Sequence, residues 1–534
     1  MTQPDPRMWQ VSPWVESTVK ESLLAFTMPP ALIDRDTTPS TWANEVSDSL
    51  LRRFEPGSLA PNYMGVRVHD GGLAFWTDHL GLGRVYVYES DEVIAASNNI
   101  GALVPLMKNA PTLDDDAIAR FASLGWFSEN STPFREVRRL AAGTAVHVAP
   151  GGRSSNEAWF DPGPIYTPDS PADYESVVTE MNQVSLNLSA MATATPRVAL
   201  SGGKDSRMTT AMWLASRADA EVFTFGDLPE EANVARELMG IFFESHGDAD
   251  QQVTHEVSFR SKAGQSDLDP LEKRINNAFK LWNGDAAPIK LRSNVRPLNA
   301  KRFQVSGIGG EITHGYFYGK PGQLETIRAA GEPLDRLRTA FARKPYLTPF
   351  ALNSVNSLID RCNSAYTTIG LDDFRRLDYF YVNEKLRRWS PQGMNTASPA
   401  PLCVPAFQKL AFSLSEQEQV NIEAPMKLAN TAIPGWGNVR TYKASPKEAA
   451  AVAVRTARTW NTDPEHFATF FSNEEHAWQD YILPTTIHEA LARIERHEMS
   501  EMYESFLLRS IWIDSLQDHI QELSAKHRAW RRHC

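Results

Sequence analysis

The chain has 534 residues, 42% of them hydrophobic and 22% charged. At ~150 residues per domain, this length predicts two to four domains, and the composition excludes a largely disordered or fibrous chain. Lys+Arg number 54 against 65 Asp+Glu, a formal net charge of -11, which predicts no nucleic-acid partner because phosphates reward clustered cations.

The three cysteines, Cys362, Cys403 and Cys534, form no CxxC pair. They argue against a disulfide framework or zinc ribbon and suit a reducing cytoplasm. No run of about 18 apolar residues occurs, so no membrane span is expected. The opening MTQPDPRMWQ leads into no apolar core, and the later patch Leu23 to Ile33 is broken by Pro29-Pro30. A signal peptide is not expected.

Residues 1 to about 60 are polar and proline-punctuated, with weak periodicity. From Tyr63 the runs MGVRVHD, GLAFWTD, RVYVYES and EVIAASN, separated by Gly and Asp, predict an antiparallel meander. A helix is predicted over Asp114–Leu124 and a further strand at TAVHVAP. Asp161–Pro171 carries Pro162, Pro164, Pro168 and Pro171 and reads as a linker between domains at 1–162 and 172–534.

Beyond it, Tyr174, Val177, Val178, Met181, Val184 and Leu188 recur at helical spacing. RVAL predicts a strand that runs into SGGKDSR and a second helix. EVFTFG and RFQVSG predict two more strands, with a helix between them that opens among Glu230 and Glu231, where acids suit the positive end of the helix. Strand alternating with helix is a parallel α/β pattern, and the remainder reads mostly helical.

The chemistry is concentrated in Leu200-Ser201-Gly202-Gly203-Lys204-Asp205-Ser206. A buried strand delivers a Ser-Gly-Gly turn to a helix start, so backbone N–H groups and the helix end can meet an anion. Ser201 and Ser206 add hydroxyls, and Asp205 offers the oxygen donors that Mg²⁺ prefers. This is not the GxxxxGK[ST] loop.

The segment resembles the SGGxDS loop of the ATP pyrophosphatases, which bind the pyrophosphate of ATP and transfer AMP. Ser306-Gly307-Ile308-Gly309-Gly310-Glu311, leading to His314-Gly315-Tyr316, resembles the SGxGxDE…GGY segment of the asparagine synthetase family. LRRWSPQGMNTASPAPLCVPAF (386–407) is similar to that family's region ending in a VPFLD-like turn. GLAFWTDHLGLGRVYVY, Ala96-Ser97-Asn98 and VRRLAAGTAVHV resemble its glutaminase-type domain. The resemblance runs from about Tyr63 to Ser445. It implies an α/β protein, with a degenerate glutaminase-like (Ntn-type) α+β domain before a parallel-sheet synthetase domain whose C-terminal part is helical.

Carried over by position, the resemblance implies ATP held at Leu200, Ser201, Gly202, Gly203, Lys204, Asp205, Ser206, Phe225, Ser306 and Gly307. It implies Mg²⁺ on Asp205 and Glu311, the latter standing where the family has Asp. A late lysine that neutralises charge at the reacting centre matches Lys443, with Arg440 in reserve. An amine must lose a proton to attack. Asparagine synthetases have Glu where Ile308 stands, and the β-lactam-forming relatives have Tyr paired with an acid. Asp378, then Glu384, lie near that acid's position, with ordinary ion pairing beside Arg387 and Arg388 as the alternative.

No cysteine lies near Met1-Thr2-Gln3 to serve as the family's N-terminal nucleophile, so glutamine hydrolysis is not expected. Relatives with the same loss include β-lactam synthetases and lasso peptide cyclases. The implied activity is therefore ATP-dependent amide formation on a small-molecule or peptide carboxylate by an amine, in natural-product or peptide biosynthesis. An ammonia-dependent asparagine synthetase and a non-catalytic scaffold are the alternatives. The basic run Lys526–His533 is read as a frayed helix end, or as a dock for an acidic pathway partner.

Overall fold

A computed structural model describes residues 17–19, 22–26, 32–33, 50, 54–170, 173–192, 194–246, 251–259, 268–292, 294–295, 303–319, 322–329, 331–342, 346–389, 398–442, 445, 464–472, 475–496 and 501–532. It is a mixed α/β protein, with antiparallel sheets in the first part and a parallel sheet later.

All four strands expected after Tyr63 form: β3 (Met64–His69), β4 (Gly72–Thr77), β5 (Tyr86–Glu89) and β6 (Ile94–Ser97). They do not make one meander. β3 and β4 belong to a six-stranded antiparallel sheet, and β5 and β6 to a three-stranded one. Asp78 causes the break. Its buried carboxylate accepts from the N–H groups of Leu80, Leu82, Gly83 and Tyr63. The chain is thereby folded back instead of continuing the ladder. The two sheets then pack face to face, with Phe75 and Val146 of one against Val85 and Val87 of the other.

The six-stranded sheet runs β1 (Ser17–Val19), β2 (Ser22–Phe26), β3, β4, β8 (Thr144–Val148), β9 (Ser154–Ala158). β1 and β2 fall in the stretch read above as lacking periodicity. β2 pairs with β3, a long-range contact with no local signal, and β1 pairs in turn with β2. Buried Phe26 meets Trp76 edge-on at 5.9 Å. β7 (Val137–Arg139) completes the small sheet beside β5. The helix Asp115–Leu124 starts one residue later than expected, because Asp114 caps it by accepting from the Ala117 N–H.

In the second part the parallel sheet has the order β12 (Val253–Ser258), β11 (Ala220–Phe225), β10 (Arg197–Ala199), β13 (Gln304–Val305). The helices Tyr174–Met191, Lys204–Ala215 and Pro229–His246 pack around it, with Val198, Val222 and Val305 buried at its centre. β12 was not expected. Its residues, VTHEVS, alternate between half-buried and exposed, as suits an edge strand and not a buried parallel one.

The proline-rich segment is docked, not free. Gly163–Tyr166 forms one helical turn, and buried Tyr166 donates to Gln408 Oε1 at 2.7 Å. The described part of the basic run is the largely exposed end of the helix Glu501–Arg531, held at two points where His527 and Arg531 bond to the carbonyl of Met107. Among the described residues, no helix is long and apolar enough to cross a membrane.

A buried charge cluster ties the early sheets to the later helices. Asp285 accepts from the Tyr86 hydroxyl at 2.8 Å and from Arg388 at 3.3 Å. Arg388 also donates to the carbonyls of Glu129 and Ser131, and Arg139 to those of Gly81 and Arg387. Burial alone would raise the Asp285 carboxyl, but Arg388, Arg84 and Arg139 hold it below its usual range. Its stabilising contribution is therefore present above about pH 4 and lost as pH falls through the lower folded value. Asp285→Asn should cost about 3–5 kcal/mol at pH 7, since it leaves buried arginines without their counter-charge. The cost should shrink towards pH 2; urea unfolding at pH 7 and pH 3 measures both.

Candidate functional site

The site lies where the parallel strands end. Leu200 closes β10: its N–H donates to the Phe223 carbonyl at 2.9 Å, and its own carbonyl accepts from Thr224 Oγ1 at 2.9 Å. Ser201-Gly202-Gly203 then turns into the helix Lys204–Ala215. Within this turn Ser206 Oγ accepts from the Ser201 N–H at 3.0 Å and lies 2.7 Å from Ser201 Oγ, which accepts from the Gly203 N–H at 3.1 Å. The two hydroxyls thus shape the turn from inside.

The segment after β13 closes on this helix start. A Cβ on Gly307 would stand 2.7 Å from the Asp205 carbonyl carbon and 2.8 Å from the Ser206 nitrogen. One on Gly310 would stand 2.7 Å from Asp205 Oδ1, and Gly309 between them has φ +95°. The approach requires glycines, and it brings Glu311 and His314 to Asp205. His314 Nε2 lies 3.8 Å from Asp205 Oδ1, and Lys204 Nζ lies 3.7 Å from Asp205 Oδ2.

Asp205 Oδ1, Glu311 Oε2 and His314 Nε2 are all buried without a hydrogen-bond partner. Burial pushes the Asp205 carboxyl up to about 6; Lys204 opposes the rise and Glu311 adds to it. Burial, then Lys204, pushes the His314 ring down to about 3. Among the described residues, no group of three or more His, Cys, Asp or Glu is placed to hold a metal by itself. Two carboxylates with unpartnered oxygens still fit Mg²⁺, which is commonly bound through one or two carboxylates plus phosphate oxygens.

Tyr381 borders the site with its hydroxyl against Glu311, and burial and then Glu311 raise its pKa. It opens a π-helical turn, Tyr381–Leu386, and Tyr316 stacks on it at 4.7 Å. Among the remaining expected residues, Phe225 ends β11 with a side chain 41% exposed, and Ser306 is half-buried beside Gly307. The Ile308 side chain packs against a buried cluster that includes Cys403, so that position presents an apolar wall and no proton acceptor.

Asp378 and Glu384 are fully engaged in the fold. Asp378 Oδ2 accepts from the Tyr318 hydroxyl at 2.6 Å, Gln419 at 3.2 Å and Arg375 at 3.4 Å. Glu384 accepts from the Glu129 N–H at 2.7 Å and from Asn383 at 3.0 Å. Burial raises both carboxyls, that of Asp378 to about 7.

Lys443 lies outside the described residues. The segment before it is pinned to the loop: the Tyr442 N–H donates to the Gly202 carbonyl at 2.9 Å. Arg207, missed as a site residue, does the pinning. Its buried guanidinium donates to the carbonyls of Trp436, Val439 and Arg440. The sequence hint was an arginine directly after Ser201-Gly202-Gly203-Lys204-Asp205-Ser206. Arg440 pairs with Glu230 at the surface, 2.6 Å away.

No protein-family model matches the chain, and comparison with the curated proteins gives no match.

Two outcomes test this geometry. Gly307→Ala should destabilise the fold by about 1–3 kcal/mol, because it presses on backbone. Gly203→Ala, whose Cβ meets only Ser201 Oγ at 3.2 Å, should cost much less in the same thermal melts. The raised Asp378 carboxyl favours the folded state when protonated, so its contribution is full below about pH 4 and is lost as pH rises through about 7. Asp378→Asn should accordingly flatten the decline in unfolding free energy between pH 4 and 8.

Proposed function

We propose that this chain is an AMP-forming carbon–nitrogen ligase of the asparagine synthetase-like type, with an Ntn-type N-terminal half that lacks glutaminase activity. One observation carries the reading: the Ser-Gly-Gly turn at the end of a parallel strand stands beside two buried, unpartnered carboxylate oxygens, on Asp205 and Glu311. Such oxygens are costly to bury unless a cation meets them.

In this reading the turn and helix start bind the phosphates of ATP, and Lys204 adds a positive charge at their edge. A substrate carboxylate oxygen bonds to the α-phosphorus as the bond to the bridging oxygen breaks, and pyrophosphate leaves. An amine then bonds to the acyl carbon and gives up a proton, the acyl–oxygen bond breaks, and AMP leaves with that proton on its phosphate. When bound, Mg²⁺ offsets the charge of the departing pyrophosphate. Asp205 and Glu311 would hold it. Glu384, with both oxygens hydrogen-bonded, and Asp378, hydrogen-bonded through Oδ2, are positioning groups in this reading. Lys443 is the proposed cation at the reacting centre, supported by the anchoring of Tyr442 to Gly202. The buried free thiols of Cys362 and Cys403 favour a reducing compartment, here the cytoplasm.

The test is Mg–ATP binding by calorimetry, followed by AMP and pyrophosphate release with candidate acids and amines. Wild type should bind Mg–ATP, and Asp205→Ala should lower AMP formation roughly a hundredfold or more. AMP formed together with asparagine from aspartate and ammonium would instead identify an ammonia-dependent asparagine synthetase. Failure of the wild-type chain to bind Mg–ATP would reject the ligase and leave a scaffold.

A further inference from the structure

Arg207 is the fourth residue of the helix Lys204–Ala215 and is fully buried. Both facts oppose a cation there: burial strips its water, and the start of a helix carries partial positive charge. Its donors are spent on backbone. Nη1 donates to the carbonyls of Trp436, at 3.2 Å, and Val439, and Nη2 donates to that of Arg440 at 2.8 Å. One guanidinium thus holds two consecutive carbonyls, those of Val439 and Arg440, through its two terminal nitrogens. A planar fork on adjacent carbonyls fixes the direction of the chain as well as its position.

Direction matters because the chain leaves the core at this point. Trp436 and Val439 are buried in the core around the parallel sheet, whereas Arg440 and Thr441 are exposed and Tyr442 is half-buried. Two backbone hydrogen bonds guide the exit: the Arg440 carbonyl on Arg207, and the Tyr442 N–H on the Gly202 carbonyl at 2.9 Å. Both anchors belong to the turn and the helix start that follows it. The fit is close, since a Cβ on Gly202 would stand 2.7 Å from the Tyr442 Cβ. The pair of Arg440 with Glu230 is exposed and contributes little.

We propose that Arg207 is a positioning residue: its fork sets the path by which the chain leaves the core, and so directs Lys443, which follows Tyr442, towards the Ser-Gly-Gly turn. That Lys443 there meets the phosphates of ATP rests on the ligase reading above; the fastening of 436–442 by Arg207 does not. Lysine at position 207 keeps the charge but has no fork, so it cannot hold both carbonyls in one geometry.

Hydrogen exchange on the full-length protein, read by mass spectrometry, tests the fastening. In Arg207→Lys, peptides covering 436–442 should exchange roughly tenfold faster than in wild type, with those of the parallel strands unchanged. Acetylation, read at each lysine, tests the positioning. Mg–ATP should shield Lys443 in wild type and leave it reactive in Arg207→Lys, while calorimetry finds the Mg–ATP affinity little changed. An arginine that merely stabilised the fold would not separate the lysine's response from nucleotide binding. Arg207→Gln serves the same purpose should the lysine variant lose its circular dichroism signature. Unchanged exchange over 436–442, or equal shielding of Lys443 in wild type and variant, overturns the proposal. Wild type that binds Mg–ATP without shielding Lys443 also overturns it, and leaves the ligase standing. Wild type that binds no Mg–ATP rejects the ligase; faster exchange over 436–442 in the variant then still supports the fastening, and unchanged exchange overturns it.

Discussion

The candidate site depends on how closely two pieces of backbone approach. The Gly307–Gly310 segment lies so near the start of the Lys204–Ala215 helix that no side chain fits between them at either glycine. This approach brings Glu311 and His314, distant in sequence, to Asp205. The raised Asp205 carboxyl and the neutral His314 ring are consequences of the same closeness. Arg207 extends the constraint to a third segment, because its guanidinium binds carbonyls from Trp436 to Arg440 and draws Tyr442 against Gly202.

The rest of the molecule holds this region steady. The helical part that follows the parallel sheet is bonded to the early antiparallel sheets through Arg387, Arg388 and Glu384, mostly onto backbone carbonyls and N–H groups. Contacts of this kind fix position, since each demands one geometry on both sides. Glu384 sits in the π-helical turn whose first residue, Tyr381, meets Glu311. The wall of the site and the junction between the two parts of the chain are therefore consecutive turns of one helix.

Much of this was legible in the sequence where the signal is local. The runs that became β3 to β6, the helix near Asp114–Leu124 and the strand–turn–helix around Ser201 follow from local residue pattern and glycine placement. What was not legible is long-range. β2 exists through pairing with β3 and β1 through pairing with β2, and β12 is an edge strand whose polar residues carry no strand-like alternation of apolar residues. The separation of β3–β4 from β5–β6 depends on one buried aspartate gathering four N–H groups. Of the site, the turn and Asp205 were readable as a motif. Arg207 was not, because its partners lie more than 200 residues away. Asp378 and Glu384 were placed by resemblance to the position of an acidic partner, and both are buried against structural partners.

The long C-terminal helix has a consequence for how the protein is made. Leu523 fills the small core beneath β5 together with Tyr86, Tyr88 and Phe134, and His527 binds the Met107 carbonyl across 420 positions of sequence. The three-stranded sheet is translated first, yet one face of its core is finished only by residues of a helix that lies 420 positions further on at His527. Until they arrive, apolar surface on that sheet stays open to solvent. Maturation of this sheet is thus tied to the arrival of the Glu501–Arg531 helix, and a polypeptide stalled short of Leu523 would leave this core unsealed.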